Sequence, residues 1–195
     1  MERLARLRLL SSGRTRVAAA AAALLAAAAL PAKVFVTREE ALRLAFPGAA
    51  VERHTAYLTE AQQKEAKKLS GDAEEPSALA AYYEARKDGR VIGTAYFDTH
   101  TVRTMPETIM VVVDPAGAIS RIEVLSFSEP EEYLPRPQWY AQFTGKPLND
   151  ELSMKRAIHP VTGATLTAQA TTDAARRVLA LHRVLHPSAA EASPK

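Results

Sequence analysis

The run Val161-Thr162-Gly163-Ala164-Thr165-Leu166-Thr167 places three hydroxyls and two small residues between a proline-bounded approach, His159-Pro160, and a stretch of helical periodicity. Backbone amides at the start of a helix have no partner inside it, and such ends attract phosphate. Gly163 and Ala164 let the main chain come close to a bulky anion, and the hydroxyls of Thr162, Thr165 and Thr167 can donate to its oxygens or carry an ester. Spacing alone leaves two readings open: a phosphate cradle, or an ordinary cap for the helix beyond it. Upstream, His100-Thr101-Val102-Arg103-Thr104 gathers donors that could reach a phosphate or the polar edge of a ligand, with a plain polar loop as the alternative.

The other candidates carry less chemistry. His182 and His186 are four apart, as metal-binding pairs are, but no third ligand is near in the sequence, and they read as surface histidines at a frayed helix end. Glu129, Glu131 and Glu132 fall short of the six or more oxygens a calcium site takes and read as a solvated acidic loop. The absence of cysteine excludes disulfides, thiol catalysis, iron-sulfur clusters and c-type haem. No Gly-x-Ser-x-Gly elbow supports serine hydrolysis. No catalytic side chain and no metal site are expected.

The elements that must position the motif can be traced along the chain. Thr37 to Glu40 and Thr59 to Gln62 have the spacing of capping boxes, so residues 33–78 are expected to be an N-terminal helical segment. From Leu79 the pattern alternates, and Asp88-Gly89 between two such runs predicts a tight hairpin. Met110 to Val113 and Ile119 to Phe127, joined through Asp114-Pro115-Ala116-Gly117, form a second pair. Ala170, Ala174, Val178, Leu181 and Leu185 describe an apolar stripe on a helix from about Thr167 to Leu185, which should pack on the sheet. The fold class expected is α+β, an antiparallel sheet of four or more strands with flanking helices, the longest following the motif. Residues 79–186 form the main domain and 187–195 a disordered tail.

Residues 1–32 look different. Five arginines against one acid precede fourteen apolar residues, Val17 to Leu30, the layout of a secretion signal. The run is shorter than the ~20 residues of a straight membrane span, and cleavage after Ala32 and retention as an N-terminal membrane anchor are both open. Either way the protein is expected in the periplasm or on the outer face of the inner membrane. Without these residues twenty bases face twenty-one acids, so the basic charge belongs to the leader and gives no support to nucleic-acid binding.

Residues 161–167 resemble the flavin motif of the FMN-binding domain found in the peripheral subunits of bacterial Rnf and sodium-pumping NADH:quinone oxidoreductase complexes. The family pattern is Asp, two variable residues, Ser or Thr, Gly, Ala, Thr, and a magnesium-dependent flavin transferase esterifies the last threonine with FMN. Thr162, Gly163, Ala164 and Thr165 match, Leu166 and Thr167 fit the usual continuation, and His159 departs from the pattern by standing in the Asp position. Looser similarity runs through Val112 to Gly117, Ile122 to Leu125 and Trp139 to Lys146, covering roughly residues 79–185; Ser128 to Pro135 replaces a Gly-rich turn, which suggests a small stand-alone relative. The resemblance implies covalent FMN on Thr165, a flavin transferase as partner, and membrane or periplasmic redox partners. The protein then supplies position and electrostatics for electron transfer. Tyr133, Trp139 and Tyr140 could wall the flavin ring. Non-covalent FMN or phosphate-ligand binding, or a small flavin-dependent reductase, are the alternatives.

Overall fold

The computed structural model describes residues 33–72 and 76–187. The leader expected in 1–32 and the tail beyond Pro187 lie outside them. Six strands, β1 (Lys33–Val34), β2 (Ala50–Tyr57), β3 (Leu79–Lys87), β4 (Arg90–Thr101), β5 (Pro106–Val113) and β6 (Ile119–Phe127), form one sheet in the order β1-β6-β5-β4-β3-β2. Every pairing is antiparallel. Among the described residues four helices flank it: α1 (Arg38–Ala45), α2 (Glu60–Ser70), the single turn α3 (Pro137–Tyr140) and α4 (Thr165–Leu185). The expected α+β class is the one observed.

Local chemistry accounts for most boundaries. Thr37 accepts the Glu40 amide at the start of α1, and Thr59 with Gln62 closes a full capping box on α2. The β3–β4 hairpin turns through Asp88 and Gly89, both at positive φ (52° and 75°), as a type I′ turn needs. The Asp114 carboxylate accepts the amides of Ala116 and Ala118 at 2.9 Å each and shapes the β5–β6 turn. Residues 33–78 are less helical than expected, because they also supply both edge strands, β1 and β2.

The two faces of the sheet are covered differently. On one, α2, α4 and the segment around α3 bury Tyr96, Ile109, Val111, Val113, Trp139, Phe143, Val178 and Leu179 in the larger core. On the other, among the described residues, α1 covers Met110, Val112 and Leu125 with Leu42 and Phe46. The buried face of α4 keeps Ala174 and Val178 of the predicted stripe, with Leu181 and Leu185 partly buried against the same core, and extends to Ala168, Thr171, Ala175, Leu179 and His182. Buried threonines make this possible: Thr171 donates to Glu107 and Thr172 to the Ala168 carbonyl, so their hydroxyls are satisfied in the core.

Candidate cofactor site

The motif forms a tight turn that feeds directly into α4. The Ala164 amide donates to the Val161 carbonyl at 3.1 Å across this turn, and Gly163 sits at φ +86°, where a residue with Cβ is strained. α4 begins at Thr165, two residues before the position periodicity predicted. Its N-cap is the buried Ala164, and among the described residues no side chain caps the helix. The ordinary-cap reading therefore loses its basis. A 21-residue helix starts with amides that no cap side chain satisfies, and its dipole adds partial positive charge there. Thr162, Gly163, Thr165 and Leu166 are exposed, and the Thr165 hydroxyl donates to the Val161 carbonyl at 3.2 Å.

Two sets of contacts hold this turn. Before it, His159 is fixed through its main chain: its carbonyl accepts the Trp139 indole N–H at 2.7 Å, and its amide donates to Gln142 Oε1 at 2.8 Å. After it, the buried Thr167 hydroxyl donates to the Tyr133 carbonyl. The Arg103 guanidinium lies 4.7 Å from the centre of the Tyr133 ring, so a cation from the β4–β5 loop is brought beside the element that touches the helix start. That loop is shaped by Glu129, whose carboxylate accepts the amides of Thr104 and Met105 at 2.7 and 2.9 Å. The Thr104 amide bond leads the effects that hold this carboxyl below its usual range, against the opposing push of burial. Glu129 is thus a buried structural acceptor, in contrast to the solvated loop expected.

Not every predicted residue faces the motif. Thr101 ends β4 opposite Pro106 and is exposed. Trp139 is 8% exposed, packed edge-on against Tyr140 and Phe143, and supports the turn from the core instead of walling a ring at the surface. His182 is buried and shares a 2.9 Å hydrogen bond with the Tyr96 hydroxyl, contrary to the surface position expected, because α4 lies against β4 there. His100 has both ring nitrogens engaged, Nδ1 with Asp98 at 2.8 Å and Nε2 with Glu107 at 3.0 Å. Arg177 also reaches Asp98, at 3.0 Å, and Asp72, at 2.9 Å. Glu107, Asp98, Gln142 and Arg177 join these networks beyond the residues expected from the sequence. Glu107 had a usable signal: it shares strand parity with Ile109, Val111 and Val113 on the buried face.

The His100 network makes stability depend on pH. Burial alone would lower the His100 pKa, but the hydrogen bonds to Asp98 and Glu107 outweigh it and raise it to about 9. The folded state then holds a proton that the unfolded chain releases near 6.5, so this contribution is complete below pH 6.5 and is lost as pH rises through 9. The expected loss is roughly 3 kcal/mol. His182 works in the opposite direction: burial, then neighbouring His186, lower it to about 4, so stability falls as pH drops from 6.5 toward 4. Urea midpoints measured across pH should peak near neutrality, and His100→Gln should flatten the alkaline limb. An unchanged alkaline limb in that variant would remove His100 as its cause.

Residues 105–180, from the end of the β4–β5 loop through most of α4, match the family model described as FMN-binding domain. No curated protein matches the chain. The matched stretch contains the turn, both sets of contacts that hold it and the uncapped helix start, and over residues 105–180 the chain is similar to the FMN-binding domain.

Proposed function

We propose that the chain carries FMN at the start of α4, its phosphate joined as an ester to the Thr165 hydroxyl, and that it relays electrons in the cell envelope between a membrane donor and another redox protein or a quinone. The observation that carries this reading is the exposed Thr165 hydroxyl at an uncapped helix N-terminus within the stretch matched to the FMN-binding domain. The donors present suit a phosphate: free-ended helix amides, a close-approaching Gly163, the exposed Thr162 hydroxyl and the nearby Arg103 cation. FMN, when bound, supplies one- and two-electron chemistry, and the chain supplies binding and orientation. Thr165 stands exposed where a flavin transferase can reach it, and Val161 sets the direction of its hydroxyl. An exported protein, as residues 1–32 suggest, gains from an ester because loose FMN is diluted away outside the cytoplasm.

The same amides would hold a phosphate without an ester, so the two modes must be separated by mass. The full chain is produced with and without the flavin transferase and weighed intact after denaturation. A gain equal to FMN minus water, lost in Thr165→Ala, is the expected result. A chain that stays unmodified with the transferase present, yet copurifies with FMN released on denaturation, would establish the non-covalent mode instead.

A further inference from the structure

Gln142 closes a ring of three hydrogen bonds that nothing in the motif pattern announces. Its Oε1 accepts the His159 amide at 2.8 Å, its Nε2 donates to the Trp139 carbonyl at 3.1 Å, and the Trp139 indole N–H donates to the His159 carbonyl at 2.7 Å. The ring takes hold of His159 by main-chain atoms alone, and the His159 side chain stands exposed. Trp139 roots the ring in the core through edge-on contacts with Tyr140 and with the fully buried Phe143.

The residues after His159 transmit this position to the acceptor with little slack. Pro160 has a nearly fixed φ. The next residue, Val161, accepts two hydrogen bonds at one carbonyl, from the Ala164 amide at 3.1 Å and from the Thr165 hydroxyl at 3.2 Å. From the ring to the Thr165 oxygen the path is therefore a clamped residue, a stiff residue and a doubly bonded carbonyl. Downstream, Thr167 is tied to the Tyr133 carbonyl, so the acceptor lies between two fixed points.

We infer that Gln142, acting with Trp139 on the main chain of His159, is the positioning residue that orients the Thr165 hydroxyl for esterification. This rests on the attachment proposed above. In the step itself the Thr165 oxygen forms a bond to the FMN phosphorus of a flavin dinucleotide, the phosphoanhydride bond to the nucleoside monophosphate breaks and releases that nucleotide, and the hydroxyl proton passes to a base of the transferase. Gln142 touches none of these atoms. Its contribution is orientation, and misplacement of a reacting group by about 1 Å costs on the order of a hundredfold in rate.

The test uses full-length chain made without the transferase, then reacted with purified transferase, its flavin donor and magnesium, with ester formation followed by intact mass. Gln142→Ala should lower kcat at least tenfold and leave KM for the chain within about threefold. Leu42→Ala, in the core on the opposite face of the sheet, should destabilise the fold and leave kcat unchanged. Amide exchange on the flavin-free chain supplies a second readout: the Ala164 amide should exchange at least about tenfold faster in Gln142→Ala and not in Leu42→Ala. If Gln142→Ala is esterified within twofold of wild type, or if Leu42→Ala slows as much, the positioning role is overturned. A wild-type chain that accepts no FMN overturns the attachment itself, and unchanged Ala164 exchange in Gln142→Ala then overturns the clamp independently.

Discussion

Trp139→Ala should lower the unfolding free energy by about 3–5 kcal/mol, among the largest losses a single substitution in this domain can produce. The ring is 8% exposed and meets Tyr140 and Phe143 edge-on at 5.1 and 5.3 Å between centroids, so its removal opens a cavity and forfeits two aromatic contacts. It also deprives the His159 carbonyl of its donor. Trp139→Phe separates the two effects. Phenylalanine keeps most of the packing and loses the indole N–H, for an expected cost of about 1–2 kcal/mol. Urea unfolding followed by circular dichroism is the suitable measurement, since Trp139 is the only tryptophan and its fluorescence disappears with it. A loss below about 1 kcal/mol in the alanine variant would mean that the segment around α3 is not part of the cooperative core.

Glu107→Ala should cost a similar amount, by a different mechanism. Glu107 is fully buried, and its Oε2 accepts His100 Nε2–H at 3.0 Å and the Thr171 hydroxyl at 3.3 Å. Truncation leaves a buried imidazolium with Asp98 as its remaining carboxylate and strands the Thr171 hydroxyl, and breaking a buried pair in this way costs about 3–5 kcal/mol. One feature opposes this: Glu107 Oε1 has no hydrogen-bond partner among the described residues, so the carboxylate already carries a desolvation cost. Glu107→Gln weighs the two. The amide oxygen can still accept from His100 while the negative charge is gone, so the loss should be about 1–2 kcal/mol at pH 7. The alkaline midpoint should also move down, because the charge that helps raise the His100 pKa has been removed. If the glutamine variant is more stable than wild type, the unpartnered oxygen costs more than the ion pair contributes.

What could be read from the sequence was what is decided locally. Asp88-Gly89 and Thr59 to Gln62 specify their turn and cap through their own backbone and side chains, and both formed as expected. The motif was legible for the same reason, since Gly163 and its neighbours act over a few bonds. β2 escaped because it is an edge strand with mostly exposed residues, Glu52 and Arg53 among them, so its apolar alternation is faint. β1 is two residues long, below any periodicity. Buried Glu107, Glu129 and His182 escaped because their partners, His100, the Thr104 and Met105 amides and Tyr96, lie elsewhere in the chain. Polar residues without visible partners read as surface, and only the fold supplies those partners.

The ion pair between Lys33 and Glu131, at 2.6 Å, has a practical consequence. Glu131 stands two residues before Tyr133, whose carbonyl holds Thr167, so the described chain enters the domain on the side where Thr165 is exposed. The other terminus is remote: α4 runs 21 residues, ~30 Å, before reaching Leu185. A purification tag, a fluorescent fusion or a coupling to an electrode surface should therefore be placed after Pro187. Placed before Lys33, the same attachment would lie close to the exposed face of the motif, which the proposed function requires to stay open.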